Sequence, residues 1–234
     1  MPFSITWLGH ATFILGLPSG QRIVTDPWLG NPKCPEAFSR PEGLGRVDVI
    51  LLSHGHDDHS ADVVGIARAS GAPVVCLAEL NRYLTVKGLT GVRGMNIGGT
   101  QEVAGIRVTM TPALHSGSLS TDEGIVYLGG ASGFIVRAPG TPTFYFAGDT
   151  GLFGDMKVLA DVYRPEIAFL PIGDHYTMGP DTAALAARWL GVRQVVPMHW
   201  GTFPALTGTP AALREHLSDS GIDVLELRPG ETAQ

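Results

Sequence analysis

The chain has 234 residues, 44% of them hydrophobic and 16% charged, with a formal net charge of −6. This balance suits a compact, well-buried protein of one large or two small domains. With no long basic run, it argues against a dedicated nucleic-acid or anionic-membrane surface.

No stretch approaches the roughly 18 apolar residues of a membrane span. The N-terminus, MPFSITWLGH, lacks the basic region and apolar core of a signal peptide. The expectation is a soluble, cytoplasmic protein, and a homo-oligomer is compatible with it. Cys34 and Cys76 lie far apart and in no metal-type spacing, so they read as free thiols in a reducing compartment.

Residues 3–8 read as a first strand ending in Gly9-His10-Ala11, and residues 12–17 as a second, closed by a Pro18-Ser19-Gly20 turn. A strand over 22–25 delivers Asp26-Pro27-Trp28 at its end. From 29 to 46 the composition shifts to Pro, Gly and charge without a period, the mark of a long loop, and such loops are often functional. Val49 to Leu52 then form a short buried-strand run, and a helix is expected over 58–70. A strand over 73–77, a helix over 79–87 stopped by Gly88, and a strand over 106–111 ending at Pro112-Ala113-Leu114-His115 follow. Residues 116–130, rich in Ser and Gly, read as a loop able to fold over a site as a lid.

The second half repeats the scheme. Strands are expected over 133–137 and 143–147, the latter ending at Gly148-Asp149-Thr150, with a helix over 154–163. A strand over 166–171 ends in Gly173-Asp174-His175, and Gly191 caps a helix over 181–190. A strand over 194–198 ends at His199-Trp200, Thr209-Pro210 starts a helix through His216, and a last strand spans 224–227. With no linker in sight, the expectation is a single α/β domain over 1–234. It has four layers, αββα, with two sheets packed face to face and helices outside. The repetition is architectural; no internal sequence repeat accompanies it.

The stretch that organises the chain is VILLSHGHDDH, residues 49–59. His54, His56, Asp57, Asp58 and His59 follow directly on a buried strand. Imidazole nitrogen and carboxylate oxygen suit divalent transition metals. His54 and His56 are two apart, so an extended chain points them the same way, and Gly55 between them allows a sharp turn. A histidine-rich polar turn is the plain alternative, but three imidazoles at one strand end are hard to explain that way. His115, Asp149 and His199 also sit just past strand ends, where a rigid sheet preorganises side chains. Together with the box they are enough for two metal ions. His216, mid-helix between Glu215 and Leu217, reads as a surface residue.

As H-x-H-x-D-H, the box resembles the metal signature of the metallo-β-lactamase superfamily. The resemblance runs from W-L-G-H-A (7–11) through A-G-D-T (147–150) to P-M-H-W (197–200). The stretches M-N-I-G-G-T (95–100), T-P-A-L-H-S (111–116), G-D-T-G-L-F-G-D-M (148–156) and P-I-G-D-H-Y-T-M-G (171–179) narrow it. They make the chain similar to a bacterial and archaeal branch of metal-dependent hydrolases related to the L-ascorbate-6-phosphate lactonase-like enzymes. The resemblance implies that His54, His56 and His115 hold one metal, that Asp58, His59 and His199 hold the other, and that Asp149 bridges both. Zinc is the first expectation, with manganese, iron or nickel as alternatives.

The implied activity is hydrolysis of a small ester-type bond by a dinuclear centre with a bridging hydroxide, which needs no protein nucleophile. The substrate is expected to be a small anionic molecule: a phosphodiester or phosphorylated lactone first, a carboxylic ester or lactone second. Asp58 could orient or deprotonate the water. His10 and His175 are the other candidate catalytic residues. His10 and Asp26 could also bind substrate or fix ligand tautomers, and His175, Tyr176 and Asp174 follow a strand toward the same rim. The competing reading is di-iron redox chemistry, as in the flavodiiron proteins. Those typically carry a glutamate where this chain has His56, and a flavodoxin-like domain besides. RNA-cleaving relatives rely on large insertions for which this acidic chain has little room.

Overall fold

The computed structural model describes residues 2–234. The first strands are β1 (Ser4–Trp7), β2 (Phe13–Gly16), β3 (Arg22–Thr25), β4 (Val49–Leu51), β5 (Val74–Leu77) and β6 (Val92–Met95). Then come β7 (Thr100–Val103), β8 (Ile106–Pro112), and a separate hairpin of β9 (Ser118–Thr121) and β10 (Gly124–Tyr127). The remainder are β11 (Ser132–Arg137), β12 (Phe144–Phe146), β13 (Ile167–Pro171), β14 (Gln194–Met198), β15 (Asp223–Val224) and β16 (Thr232–Ala233).

Two seven-stranded sheets form, in the orders β16-β1-β2-β3-β4-β5-β6 and β15-β14-β13-β12-β11-β8-β7. The first is antiparallel from β16 to β3 and parallel from β3 to β6. The second is antiparallel from β7 through β8 and β11 to β12, and parallel from β12 to β15. The same progression in both sheets is the architectural repetition expected from the sequence. It has a direct consequence for function: β1, β3 and β4 of one sheet all run one way, and so do β8, β12, β13 and β14 of the other. Side chains that follow these strands gather at one edge of each sheet.

The sheets meet through apolar side chains. Phe13 of β2 lies 5.0 Å from Phe169 of β13, which in turn lies 5.7 Å from Phe144. All three are fully buried. Central strands such as VVCL and IAFLP are buried at every position, as strands covered on both faces must be. The covering helices are α1 (Asp57–Ser60), α2 (Val63–Ser70), α3 (Ala78–Val86), α4 (Met156–Tyr163), α5 (Pro180–Leu190) and α6 (Pro210–Leu217). In α5 the buried stripe is four alanines, Ala183, Ala184, Ala186 and Ala187, closed by Leu190. Gly191 ends it in the left-handed conformation, and the Thr209 hydroxyl caps α6 by accepting from the Ala212 amide. Among the described residues, no helix is long and apolar enough to cross a membrane.

Several local expectations need correction. The helix over 58–70 is two pieces, α1 and α2. They are broken where the Asp62 carboxylate accepts from the Leu29 amide (2.6 Å) and its own amide donates to the Pro27 carbonyl (3.1 Å). Residues 116–130 hold the β9–β10 hairpin rather than loop alone, and 29–46 contains two short 3-10 turns, Glu36–Phe38 and Pro41–Leu44. The strand expected over 224–227 is Asp223–Val224, and a further strand, β16, follows it.

Candidate metal centre

Both sheets feed one cluster. His10 follows β1, Asp26 follows β3, and His54 and His56 follow β4; Asp58 and His59 lie in α1. From the other sheet, His115 follows β8, Asp149 follows β12 and His199 follows β14. His10 (φ 51°), Asp26 (φ 36°) and His199 (φ 54°) hold the left-handed backbone conformation although each carries a side chain. That costs about 1–3 kcal/mol per residue and is typical of functional sites. Gly148 (φ 61°) precedes Asp149, and a Cβ there would stand 2.6 Å from the Ser132 carbonyl oxygen. Gly55 sits in a tight space rather than at the sharp turn expected. Its φ is ordinary, but a Cβ would press on the Ser118 carbonyl at 3.3 Å and on Leu128 at 3.2 Å.

Leaving aside Asp26, which forms a third such group with His54 and His59, the donors fall into two sets. His54, His56 and His115 present ligand atoms within 4.8 Å of one another, and so do His10, Asp58, His59 and His199. Asp149 lies between them: its Oδ2 is 3.0 Å from His199 Nε2, 3.3 Å from His59 Nε2 and 3.6 Å from His115 Nε2. His59, His115 and His199, far apart along the chain, therefore converge on one carboxylate.

A buried network orients these donors. Asp26 Oδ2 accepts from His59 Nδ1 (2.8 Å) and from the Ser53 hydroxyl (2.6 Å), while Oδ1 accepts from the Ser53 amide (2.7 Å). The Ser53 oxygen in turn meets His54 Nδ1 at 2.9 Å. One carboxylate thus engages the Nδ1 side of an imidazole of each set, while Nε2 of His59 faces Asp149 Oδ2 at 3.3 Å and Nε2 of His54 faces His56 Nδ1 at 3.0 Å. On the other side, His10 Nε2 donates to Asp58 Oδ2 (3.1 Å), and His10 Nδ1 meets the Thr202 hydroxyl at 3.0 Å.

Burial and mutual charge set the protonation states. Loss of water holds His54 well below the usual imidazole range, reinforced by the neighbouring His59, and burial also lowers His56 and His115. Burial pushes Asp149 upward, but His199 and His59 win and keep its carboxyl well below the usual range. Asp58 behaves alike: burial opposes, and the hydrogen bond from His10 prevails. These neutral rings and ionised carboxylates are the metal-binding forms. His59 is the exception. Burial would lower it, yet Asp149 and Asp26 raise it well above the ordinary value, a demand for positive charge that a divalent cation also meets.

The residues fit such a cation on chemical grounds too. Asp149 Oδ1 is buried with no hydrogen-bond partner, a costly condition unless something coordinates it. Nitrogen and oxygen donors of this kind accept zinc, manganese, iron or nickel.

The cluster floors a cavity of about 690 Å³, with His56, Asp58, His115, Asp149 and His199 at its base. Tyr176, Phe203 and Pro204 rise beside them. Two expected catalytic residues sit elsewhere. His10 is fully buried, bonds to Asp58 and does not line the cavity. His175 is exposed, packs edge-on against Tyr176 (4.4 Å) and also lies outside the cavity lining. Asp174 and His175 both turn through left-handed conformations (φ 66° and 52°), and the next residue, Tyr176, reaches the rim instead. Sequence reasoning missed Ser53, Thr202 and Phe203. Only Ser53, directly before the box, carried a positional signal.

A family model described as a beta-lactamase superfamily domain matches residues 21–200. The chain belongs to that superfamily. Within the superfamily it is 48% identical over 229 residues to a UPF0173 metal-dependent hydrolase of Koribacter versatilis (strain Ellin345), covering 97% of this chain and 96% of the relative. A UPF0173 metal-dependent hydrolase of Solibacter usitatus (strain Ellin6076) is 47% identical over 231 residues, covering 98% and 99%. The solved structure of Igni18, a novel metallo hydrolase from the hyperthermophilic archaeon Ignicoccus hospitalis KIN4/I, superposes with a TM-score of 0.87 at 34% identity. It covers 99% of this chain and 97% of its own.

Proposed function

We propose that this chain is a metal-dependent hydrolase that holds two divalent cations and cleaves an ester-type bond in a small molecule. The observation that carries the reading is the position of Asp149 Oδ2 between the two donor sets, within 3.6 Å of three imidazole nitrogens. His54, His56 and His115 would hold one cation and Asp58, His59 and His199 the other, with Asp149 shared. Zinc is the first choice and manganese, iron or nickel the alternatives. When bound, such a pair supplies Lewis acidity and brings the pKa of a water to about 7.

The chain's own residues do the rest. Asp58, at the base of the cavity, is the group placed to orient that water and take its proton, and His10 fixes the Asp58 carboxylate from behind. Asp26 and Ser53 keep His59 and His54 in one tautomer. The cavity volume, about 690 Å³, falls within the span of small-molecule sites. The resemblance to lactonase-like enzymes supports a lactone as one member of the substrate class.

The test is metal analysis of the purified protein joined to a panel of phosphodiester, lactone and carboxylic ester substrates. Two divalent ions per chain, and hydrolysis that chelation abolishes and metal restores, are expected. Activity surviving His56→Ala and Asp149→Ala would overturn the reading.

A further inference from the structure

Beside the histidine cluster the cavity changes character. Trp28, from the turn after β3, and Phe203, from the loop after β14, stack with ring centroids 5.6 Å apart and planes 23° from parallel. The His10 ring meets both at near-perpendicular angles, 5.2 Å from Trp28 and 5.6 Å from Phe203. This platform is therefore braced against the same His10–Asp58 pair that borders the cluster. Phe203 stands where the main cavity joins a second hollow of about 420 Å³ that Trp28 also lines; His56 and Asp58 are common to both. The fold leaves Phe203 37% exposed at this junction, although the ring is large and apolar.

Charge points the same way. Among the described residues, neither hollow is lined by a lysine or an arginine. Lys33 comes close in the fold, but its Nζ lies over the Trp200 ring, 4.3 Å from the centroid, and outside both hollows. A phosphate or carboxylate remote from the reacting bond would lose water here and find no cationic partner. An aromatic or similarly flat apolar group would find the partly exposed Phe203 ring, backed by Trp28.

We infer that the substrate is an uncharged carboxylic ester or lactone whose non-reacting part is a flat apolar group seated on the Trp28–Phe203 platform. The bond cleaved rests on the hydrolase reading above; the group recognised does not. In the reaction, the oxygen of water bonds to the acyl carbon and the acyl–oxygen bond breaks. One proton of the water goes to the leaving alkoxide, and the other stays with the product acid or is released to solvent. On this inference a phosphorylated lactone is disfavoured, because a phosphate remote from the reacting bond meets no lysine or arginine here.

The test compares 4-nitrophenyl phenylacetate, 4-nitrophenyl (4-carboxyphenyl)acetate and 4-nitrophenyl acetate on the zinc-loaded protein. All three share scissile bond and leaving group. The phenylacetate should exceed its carboxylated counterpart in kcat/KM by about ten-fold or more. Phe203→Ala should lower the phenylacetate by about five-fold more than the acetate, chiefly through KM. Phe203→Arg should shift preference toward the carboxylated ester. A carboxylated ester turned over as well as the phenylacetate, or an equal loss on all three in Phe203→Ala, overturns the inference and leaves the hydrolase reading standing.

If no ester is cleaved, binding decides. The neutral ketone 4-phenyl-2-butanone should quench tryptophan fluorescence, and Trp28→Phe and Phe203→Ala should each diminish the response. Its 4-carboxyphenyl analogue should not quench. That outcome keeps the recognition and removes only the bond class. No quenching by the neutral ketone, or equal quenching by both, overturns the inference.

Discussion

Asp26 and His59 are joined by a hydrogen bond of 2.8 Å between two fully buried side chains, and the same carboxylate reaches His54 through Ser53. A residue that touches no substrate thus aligns imidazoles of both donor sets. Asp26→Asn replaces one acceptor oxygen by a donor and breaks this arrangement. Metal affinity should fall by roughly ten- to a hundred-fold, as for other outer partners of metal-bound histidines. Competition titration against a chromophoric chelator reads this directly, and an unchanged affinity would remove Asp26 from the account.

Gly148 is the second control point. Its φ of 61° and the 2.6 Å approach of a notional Cβ to the Ser132 carbonyl leave no room for a side chain just before Asp149. Gly148→Ala should cost about 3 kcal/mol, from left-handed strain plus the forced shift of β11 and β12. Urea denaturation checks the value. A variant as stable as the parent would show that the Asp149 turn is softer than described.

His175 offers a contrast. It is exposed and stands outside the cavity lining, so His175→Ala should leave metal content intact and hydrolysis within about two-fold of the parent. A steady-state assay distinguishes this from the large loss that a proton donor would cause.

The thiols give a probe that does not involve the metals. Burial, with the nearby Asp62, pushes Cys34 up to about 11, and burial alone pushes Cys76 up to about 12. Because the thiolate is the reactive form, raising the pKa lowers reactivity at pH 8. Cys34 should label roughly a hundred-fold more slowly than an ordinary thiol, and Cys76 more slowly still. Iodoacetamide labelling followed by mass spectrometry, native against urea-unfolded, measures the difference. Fast labelling of Cys76 in the native protein would contradict its burial.

The site was more legible than the elements around it. His54, His56, Asp58, His59, His115, Asp149 and His199 share a local signature, a polar donor directly after a buried run or at a strand end, and parallel strands convert that signature into proximity. What the sequence hid depends on contacts between distant segments. The helix break at Ala61–Asp62 arises because Asp62 bonds to Pro27 and Leu29, which no local pattern announces. Strand β6 reads VRGM and is half exposed, so it lacks the apolar run that marks its neighbours. Strand β16 exists only because the chain's end returns to pair with β1. The β9–β10 hairpin was masked by its Ser and Gly content, and its Ile125 and Tyr127 face outward. His10 and His175 looked alike as residues following strands. Only the left-handed turns at each, and what surrounds them, bury the first behind Asp58 and expose the second.

The central claim is that side chains from both sheets converge on a pair of cations. Anomalous diffraction at the zinc edge, from crystals of the zinc-loaded protein, tests it most directly. The account predicts two peaks per chain: one against His54, His56 and His115, the other against Asp58, His59 and His199, with Asp149 touching both. A single peak, or peaks remote from Asp149, would contradict it.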